Sequence, residues 1–394
     1  MYLTKEEEAM IDGEAGEVKE RLFRLLVRLG DIYGAEKMIP VGSVQVAGVS
    51  YKSIGEPGTT FLEDMASKNA KAQVLTFLNP AGMDLENYEE LGFPKDFAKN
   101  QLRIIDAFKK MGIVITSTCT PYLAGNLPRF REHIAWSESS AVSFSNSVIG
   151  ARTNREGGPS ALAASICGRT PKYGLHLWKN RQPTIKVHVD AKLSFTSDYG
   201  ALGYLVGKKV KNKIPFFTGI KEANTDHLKS LGAAMAASGA VALYHIENLT
   251  PESDLVDTDV TETITVEQKD IDETYETLSQ GSKPDIVILG CPHASLREIA
   301  TLAEKVTGKQ LKKPVWICTS RMMKEAADRM GFSQTINDAG GHVVADTCMV
   351  VSPIEQMRYK QTGVNSGKAA NYMPGFCKQK VVFANIDRLI EGVS

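Results

Sequence analysis

Residues 283–296 read KPDIVILGCPHASL. An apolar, mostly β-branched run stops at Gly290, and a cysteine, a proline and a histidine follow at once. Such a run, bounded by turn residues, predicts a strand buried on both faces of a parallel sheet. Cys291 lies just beyond its carboxyl end, where open parallel sheets bind ligands. A cysteine used only for packing belongs inside the run. One placed just past it is a candidate for catalysis or metal binding.

The pattern repeats on both sides of this stretch. Helix 268–279 precedes strand 285–289, helix 295–307 precedes strand 314–318, and helix 321–330 with a further helical segment precedes strand 342–345. Strand 380–385 is followed by a short helix, IDRLIEG. This alternation predicts an α/β fold, a three-layer parallel sheet with right-handed crossovers. Upstream, Thr4 and Glu7 fit a capping box, and apolar residues at helical spacing predict a helix over 17–33. Strands are expected over 39–51, 71–82, 112–122, 184–190 and 240–246, with a helix over 95–111. The acidic stretch NLTPESDLVDTDVTET (248–263) reads as a linker. It divides the chain into an N-terminal α/β region, 1–255, itself open to subdivision, and a βα domain, 256–394, that carries most of the candidate cysteines.

Composition narrows the function. With 46 basic and 46 acidic residues the formal net charge is zero, which argues against a general nucleic-acid binder. No apolar run approaches a membrane span. The N-terminus MYLTKEEEAM is acidic and helical in character, unlike a signal peptide, so a cytoplasmic location is expected. No Walker or Rossmann fingerprint supports nucleotide binding.

The six cysteines are scattered, with no CxxC, which disfavours both a disulfide framework and a zinc ribbon. Cys167 and Cys318 adjoin apolar runs and read as buried packing residues. Cys291 and Cys348 stand beyond strand ends among turn residues, and Cys377 follows a Pro-Gly pair. Three thiolates converging on one face suit an iron–sulfur cluster or zinc. His293 reads as a ligand, a proton carrier or a turn histidine; His188 and His245 read as ordinary strand residues.

A second unusual stretch, SFSNSVIGARTNREGGPSALAA (143–164), sets Asn146, Ser147, Arg152 and Arg155 ahead of a helix with proline in its first turn. Guanidinium groups beside a helix N-terminus favour carboxylate or phosphate; a capped surface loop is the alternative. Two further glycine-containing segments read as loops: YKSIGEPGTT (51–60), with Lys52, Ser53 and Glu56, and NSGKAANYMPG (365–375), with Lys368.

ESSAVSFSNSVIGARTNREGGPSAL (138–162), GCPHASLREI (290–299), ADTCMVVSPI (345–354) and NSGKAANYMPGFC (365–377) together resemble the aconitase X family. The resemblance covers essentially the whole chain and is to the large chain of the family's two-chain form. LGCPHASLREI is also loosely similar to the Ser-Cys-Thr-Asn cluster-binding segment of ordinary aconitases, without its serine and asparagine. The resemblance implies a multi-domain aconitase-like fold lacking the small swivelling domain. It implies a [4Fe-4S] cluster, or a degraded form of one, held by three cysteines: Cys291, Cys348 and Cys377, with Cys119 competing for the third position or else lining the substrate pocket. Ordinary aconitases carry two of theirs as CxxC, and this chain does not.

The implied reaction is loss of water from a β-hydroxy carboxylate, with an open iron acting as Lewis acid on the departing oxygen. A phosphorylated hydroxy acid, mevalonate 5-phosphate, is the expected substrate, giving an anhydromevalonate phosphate for isoprenoid synthesis. Cis-3-hydroxyproline is the alternative within the family, and a non-catalytic iron–sulfur sensor or scaffold is the alternative of another class. Lys52, Ser53, Glu56, Thr118, Thr120, Asn146, Ser147, Arg152, Arg155 and Lys368 are the candidate substrate-binding residues. The resemblance puts the general base, a serine, on a separate small subunit, so no catalytic residue is assigned in this chain.

Overall fold

The computed structural model describes residues 1–394. Strands β10 (Ile286–Leu289), β11 (Val315–Thr319) and β12 (Gly341–Ala345) form where the apolar runs predicted. Two more, β13 (Gln361–Val364) and β14 (Lys380–Phe383), complete a five-stranded sheet in the order β12-β11-β10-β13-β14. Every pairing in it is parallel. The strand order therefore reverses between β10 and β13, which creates a crevice at their carboxyl ends. Helices α10 (Leu296–Val306), α11 (Arg321–Arg329), α12 (Phe332–Asp338) and α14 (Ile386–Glu391) cover this sheet. β13 has no apolar run to announce it, since its sequence is QTGV. Two segments expected as one loop and its flank are instead β13 and helix α13 (Gly367–Cys377), with Pro374 inside the last turn.

A second parallel sheet precedes it, in the order β8-β7-β6-β9. Its strands are β6 (Ile185–Asp190), β7 (Pro215–Thr218), β8 (His245–Ile246) and β9 (Thr263–Glu267). Helices α7 (Thr196–Val210), α8 (Thr225–Gly239) and α9 (Gln268–Leu278) pack on it. β9 pairs with β6 along its whole length, from Lys186↔Thr263 to Asp190↔Glu267. The acidic stretch is thus a long connection within one unit, and the division expected at 255/256 cuts through a sheet. Polarity misled here, because a surface crossover needs the same composition as a linker.

The first unit holds a three-stranded parallel sheet of β2 (Ser43–Val46), β3 (Leu75–Leu78) and β4 (Ala135–Trp136). A short antiparallel ribbon pairs β1 (Met38–Pro40) with β5 (Arg169–Pro171). Helices α1 (Lys5–Ile11), α2 (Glu17–Ile32), α3 (Tyr51–Ser67), α4 (Lys95–Lys110), α5 (Ser139–Phe144) and α6 (Gly158–Cys167) surround them. The Thr4–Glu7 capping box is formed. Residues 51–60, expected as a loop, open helix α3; a break at Gly55, with φ 58°, precedes Pro57 and disguises it. The strand expected over 112–122 makes a single bridge, Val114 to Phe77, and then runs free toward Cys119.

The units are locked to one another by buried polar groups. A Cβ on Gly367, at the start of α13, would lie 2.4 Å from the Gly200 carbonyl of α7, so only glycine permits this approach. Arg181, fully buried, donates from Nε to Glu252 at 2.8 Å and from Nη2 to the Asn146 carbonyl at 2.9 Å. Replacing Glu252 with alanine leaves a buried guanidinium unpaired, at an expected cost of about 3–5 kcal/mol in urea unfolding. A variant that unfolds at the native urea concentration contradicts this.

Candidate active site

β10 delivers the first thiol. Gly290 has φ 86°, and a Cβ there would lie 2.1 Å from the Cys318 carbonyl, so the turn into Cys291 requires glycine. His293 then ties three segments together. Its backbone N–H donates to Cys119 Sγ at 3.1 Å, its Nδ1 lies 3.0 Å from Thr118 Oγ1, and its Nε2 lies 2.9 Å from the Thr347 carbonyl. A carbonyl only accepts, so Nε2 carries the proton and Nδ1 accepts from the threonine hydroxyl. One buried imidazole therefore holds Cys119, Cys291 and Cys348 in adjoining segments. The His293 carbonyl is held in turn by Lys229 Nζ of α8 at 3.0 Å. Both ring nitrogens are engaged, so His293 is a support and not a ligand or proton carrier.

Burial lowers the pKa of His293 to about 4, of His245 to about 4 and of His176 to about 3. In the unfolded chain histidine titrates near 6.5. Between those values the unfolded state binds more protons, so stability is lost as pH falls from about 6.5 toward 4. Each histidine is expected to contribute roughly 2 kcal/mol of that loss between pH 7 and pH 5. Urea midpoints measured at the two values check it; equal midpoints contradict it.

The charge of Cys348 acts on Cys119 and on Cys291, and all three feel one cation, Lys368; Cys318 in β11 also feels the three thiols, and Cys377 feels Cys348. Burial raises all three, Cys291 up to about 12, and Lys368 opposes the rise. Lys368 is the second residue of α13, immediately past the β13 end of the crevice. Its Nζ pairs with Glu138 and lies 3.3 Å from Ser140 Oγ. Glu138 caps α5 and also accepts from Asn79 Nδ2 at 2.9 Å. Burial would raise this carboxyl, but Lys368 and Asn79 outweigh it and hold it at about 2. The site thus contains a permanently ionised Lys–Glu pair beside three thiols.

Cys377, expected with Cys291 and Cys348, lies against the residues that follow Cys348, with its thiol 3.6 Å from the Met349 carbonyl. It ends helix α13, nine residues after Lys368, or about 14 Å along a helix axis. Its thiol donates to the Val350 carbonyl at 3.1 Å and accepts from Lys52 Nζ at 3.7 Å. Lys52 also bonds the Ser352 carbonyl and Glu355 at 2.8 and 2.7 Å. Thr118 and Thr120 are buried beside Cys119, their hydroxyls 3.1 Å apart.

The remaining candidates lie elsewhere. Asn146 is saturated by Arg181, Thr153 and the Ala242 carbonyl, and Ser147 accepts from the Tyr244 amide. Both are structural. Arg152 bridges to His133 in the backbone and is grouped with Arg131 and Glu252, while Arg155 is exposed. Ser53 and Glu56 are exposed, and Glu56 pairs with Arg103 at 2.9 Å. The expected anion site on 143–164 is therefore not assembled around the thiols. Glu138 and Asn79 were missed. Glu138 opens the ESSAV stretch, yet only the helix-capping pattern Glu-Ser-Ser could have drawn attention to it.

Family models for the aconitase X first, second and third domains match residues 1–179, 183–276 and 284–393. The chain belongs to the aconitase X family. The crystal structure of aconitase X from Thermococcus kodakaraensis, in its holo-form, superposes with a TM-score of 0.94 at 48% identity, over 100% of both chains. The phosphomevalonate dehydratase large subunit of Methanocaldococcus jannaschii is 56% identical over 100% of both chains. The cis-3-hydroxy-L-proline dehydratase of Pseudomonas aeruginosa is 31% identical over 98% of this chain and 68% of its own length. The three matched domains coincide with the three parallel sheets, which explains why no boundary falls at 255/256.

Aconitase membership implies an iron–sulfur cluster, and the residues present fit one. No three His, Cys, Asp or Glu side chains surround a single point as ligands of one ion. A multi-iron cluster needs no such point, because each thiolate binds a different iron. Cys119, Cys291 and Cys348 supply three thiols from three segments, and Lys368 offsets the charge they gain on losing their protons.

Proposed function

We propose that this chain is the large subunit of a phosphomevalonate dehydratase, an iron–sulfur hydro-lyase that removes water from mevalonate 5-phosphate. The 56% identity over the full length of the Methanocaldococcus jannaschii large subunit carries this reading. In it, Cys119, Cys291 and Cys348 hold the cluster, and Cys377 does not. The cluster, when bound, supplies a Lewis-acidic iron for the departing hydroxyl. Lys368 holds a positive charge where a substrate carboxylate would lie, and Glu138 with Ser140 fixes its direction. Lys52, tied to the carbonyl four residues beyond Cys348, is the cation for the far, phosphorylated end.

Glu138 is not the base that takes the α-proton. A carboxylate held at about 2 is too weak an acceptor at neutral pH. Glu138 is committed to its ion pair with Lys368, which supports a base supplied by the small subunit. A cytoplasmic setting belongs to this reading, since all six cysteines are free thiols and suit a reducing compartment. No helix is long and apolar enough to cross a membrane.

The test is co-production with the small subunit under anaerobic conditions. The pair is expected to contain iron and sulfide and to dehydrate mevalonate 5-phosphate, and the large chain alone to be inactive. Turnover of cis-3-hydroxyproline in place of the phosphorylated acid would overturn the substrate assignment. An iron-loaded pair that dehydrates neither would leave the sensor reading in its place.

A further inference from the structure

We propose that Arg321 is the positioning residue for Cys348. This rests on the reading of Cys348 as a cluster ligand. β12 ends at Ala345, and Asp346 turns the chain with φ 61°, out of its own sheet. The turn is then held by the first unit. The Ala81 amide donates to the Asp346 carbonyl at 2.8 Å, and the Cys348 amide donates to the Ala81 carbonyl at 3.0 Å. Thr347 and Ala81 form an isolated parallel bridge.

Two buried carboxylates fix this junction. Asp84 accepts from the Glu86 and Asn87 amides at 3.0 Å each, and from the Ala345 amide at 3.0 Å. Asp346 accepts from the Leu85 amide at 3.4 Å. Arg321, first residue of α11, joins them: its Nη2 donates to Asp84 at 2.6 Å and to Asp346 at 2.5 Å. Without the guanidinium the two buried carboxylates lose the donor they share, and with it the link that ties α11 to both sides of the Ala81–Thr347 bridge. Cys119 and Cys291 are held by the His293 amide and by β10, and they share with Cys348 only the His293 bond to the Thr347 carbonyl, so the effect is expected to be largest at Cys348. Nη1 of the same guanidinium pairs with Glu86 at 3.1 Å, so its two arms serve three carboxylates; lysine keeps the charge but has one nitrogen, on a compact ammonium, to serve them.

The experiment compares wild type, Arg321→Lys and Arg321→Met as full-length chains. In the metal-free proteins, alkylation by iodoacetamide is followed cysteine by cysteine by mass spectrometry. Cys348 is expected to label several-fold faster in R321K, with a much smaller change at Cys119 and Cys291 and the urea midpoint preserved. In the reconstituted two-chain enzyme, R321K is expected to lose iron to a chelator about tenfold faster, the scale of a lost supporting contact. R321M is expected to exceed both effects; if it does not fold, R321K still decides. Labelling of Cys348 at the wild-type rate, or a uniform rise at all three cysteines, overturns the proposal. Selective labelling in R321K beside a wild type that never takes up iron upholds the positioning role and sinks the cluster reading instead.

Discussion

Replacing Cys119 with serine is expected to bring the iron and sulfide content of the anaerobically prepared two-chain enzyme to background, while replacing Cys377 leaves it at the wild-type level. The two thiols differ in their surroundings. Cys119 sits within the charge field of Lys368 and Cys348 and accepts a hydrogen bond from the His293 amide, one residue beyond Pro292. An N–H pointed at a sulfur favours its thiolate form, the form that binds iron. Cys377 donates to the Val350 carbonyl, a contact that suits the protonated thiol; the cation it accepts from, Lys52, is shared with Glu355 as Lys368 is with Glu138. A serine in its place can donate to the same carbonyl, so the expected stability change is within about 1 kcal/mol. Iron and sulfide assays on the two variants, with C291S and C348S as positive controls for loss, check the contrast. Equal retention by C119S and wild type contradicts it.

The second large effect is expected at Lys368. Substitution by methionine removes the one cation among three thiolates and leaves Glu138 buried without its partner. Loss of a charge aimed at reacting groups typically costs on the order of 100- to 1,000-fold in kcat. The stranded carboxylate adds a stability loss of about 3–5 kcal/mol. The two consequences separate in the double variant K368M/E138Q. Neutralising Glu138 is expected to restore most of the urea midpoint and none of the activity. Recovery of kcat in the double variant would mean that Lys368 serves only to neutralise Glu138.

How much of this was legible in the sequence follows from the kind of signal each element carries. β10 and β11 are buried along their whole length and β12 in all but His342, so they read as apolar runs, and Cys291 and Cys348 stand out by falling just past them. β13, buried as QTGV, offers no such run; its core position comes from its neighbours β10 and β14, which no local pattern encodes. Helix α3 was concealed by Gly55 and Pro57, and α13 by Gly367, Pro374 and Gly375. In α13 the first glycine serves close packing against α7, so a residue chosen for a tertiary contact imitates a loop. That disguise moved Cys377 from a helix end to an apparent ligand loop.

Cys119 posed the opposite difficulty. Its segment has the apolar pattern of a strand, yet its only ladder contact is at Val114. The importance of this cysteine depends on a histidine 174 residues away. Asn146 and Ser147 looked like binding residues because they are polar and close to arginines, yet they serve the buried Arg181 network and the Tyr244 amide. Polarity in sequence does not distinguish a side chain facing substrate from one satisfying the backbone. Glu138 illustrates the same limit from the other side: it was counted within a motif but its partner lies 230 residues away.

The most direct measurement is the location of iron by anomalous scattering in anaerobic crystals of the large chain with its small subunit. Bonds from the metal to the sulfurs of Cys119, Cys291 and Cys348, with the Lys368 ammonium alongside and the Cys377 thiol still against the Val350 carbonyl, are the expected result. Iron bonded to Cys377, or a Cys119 sulfur free of metal in a fully loaded enzyme, would contradict it.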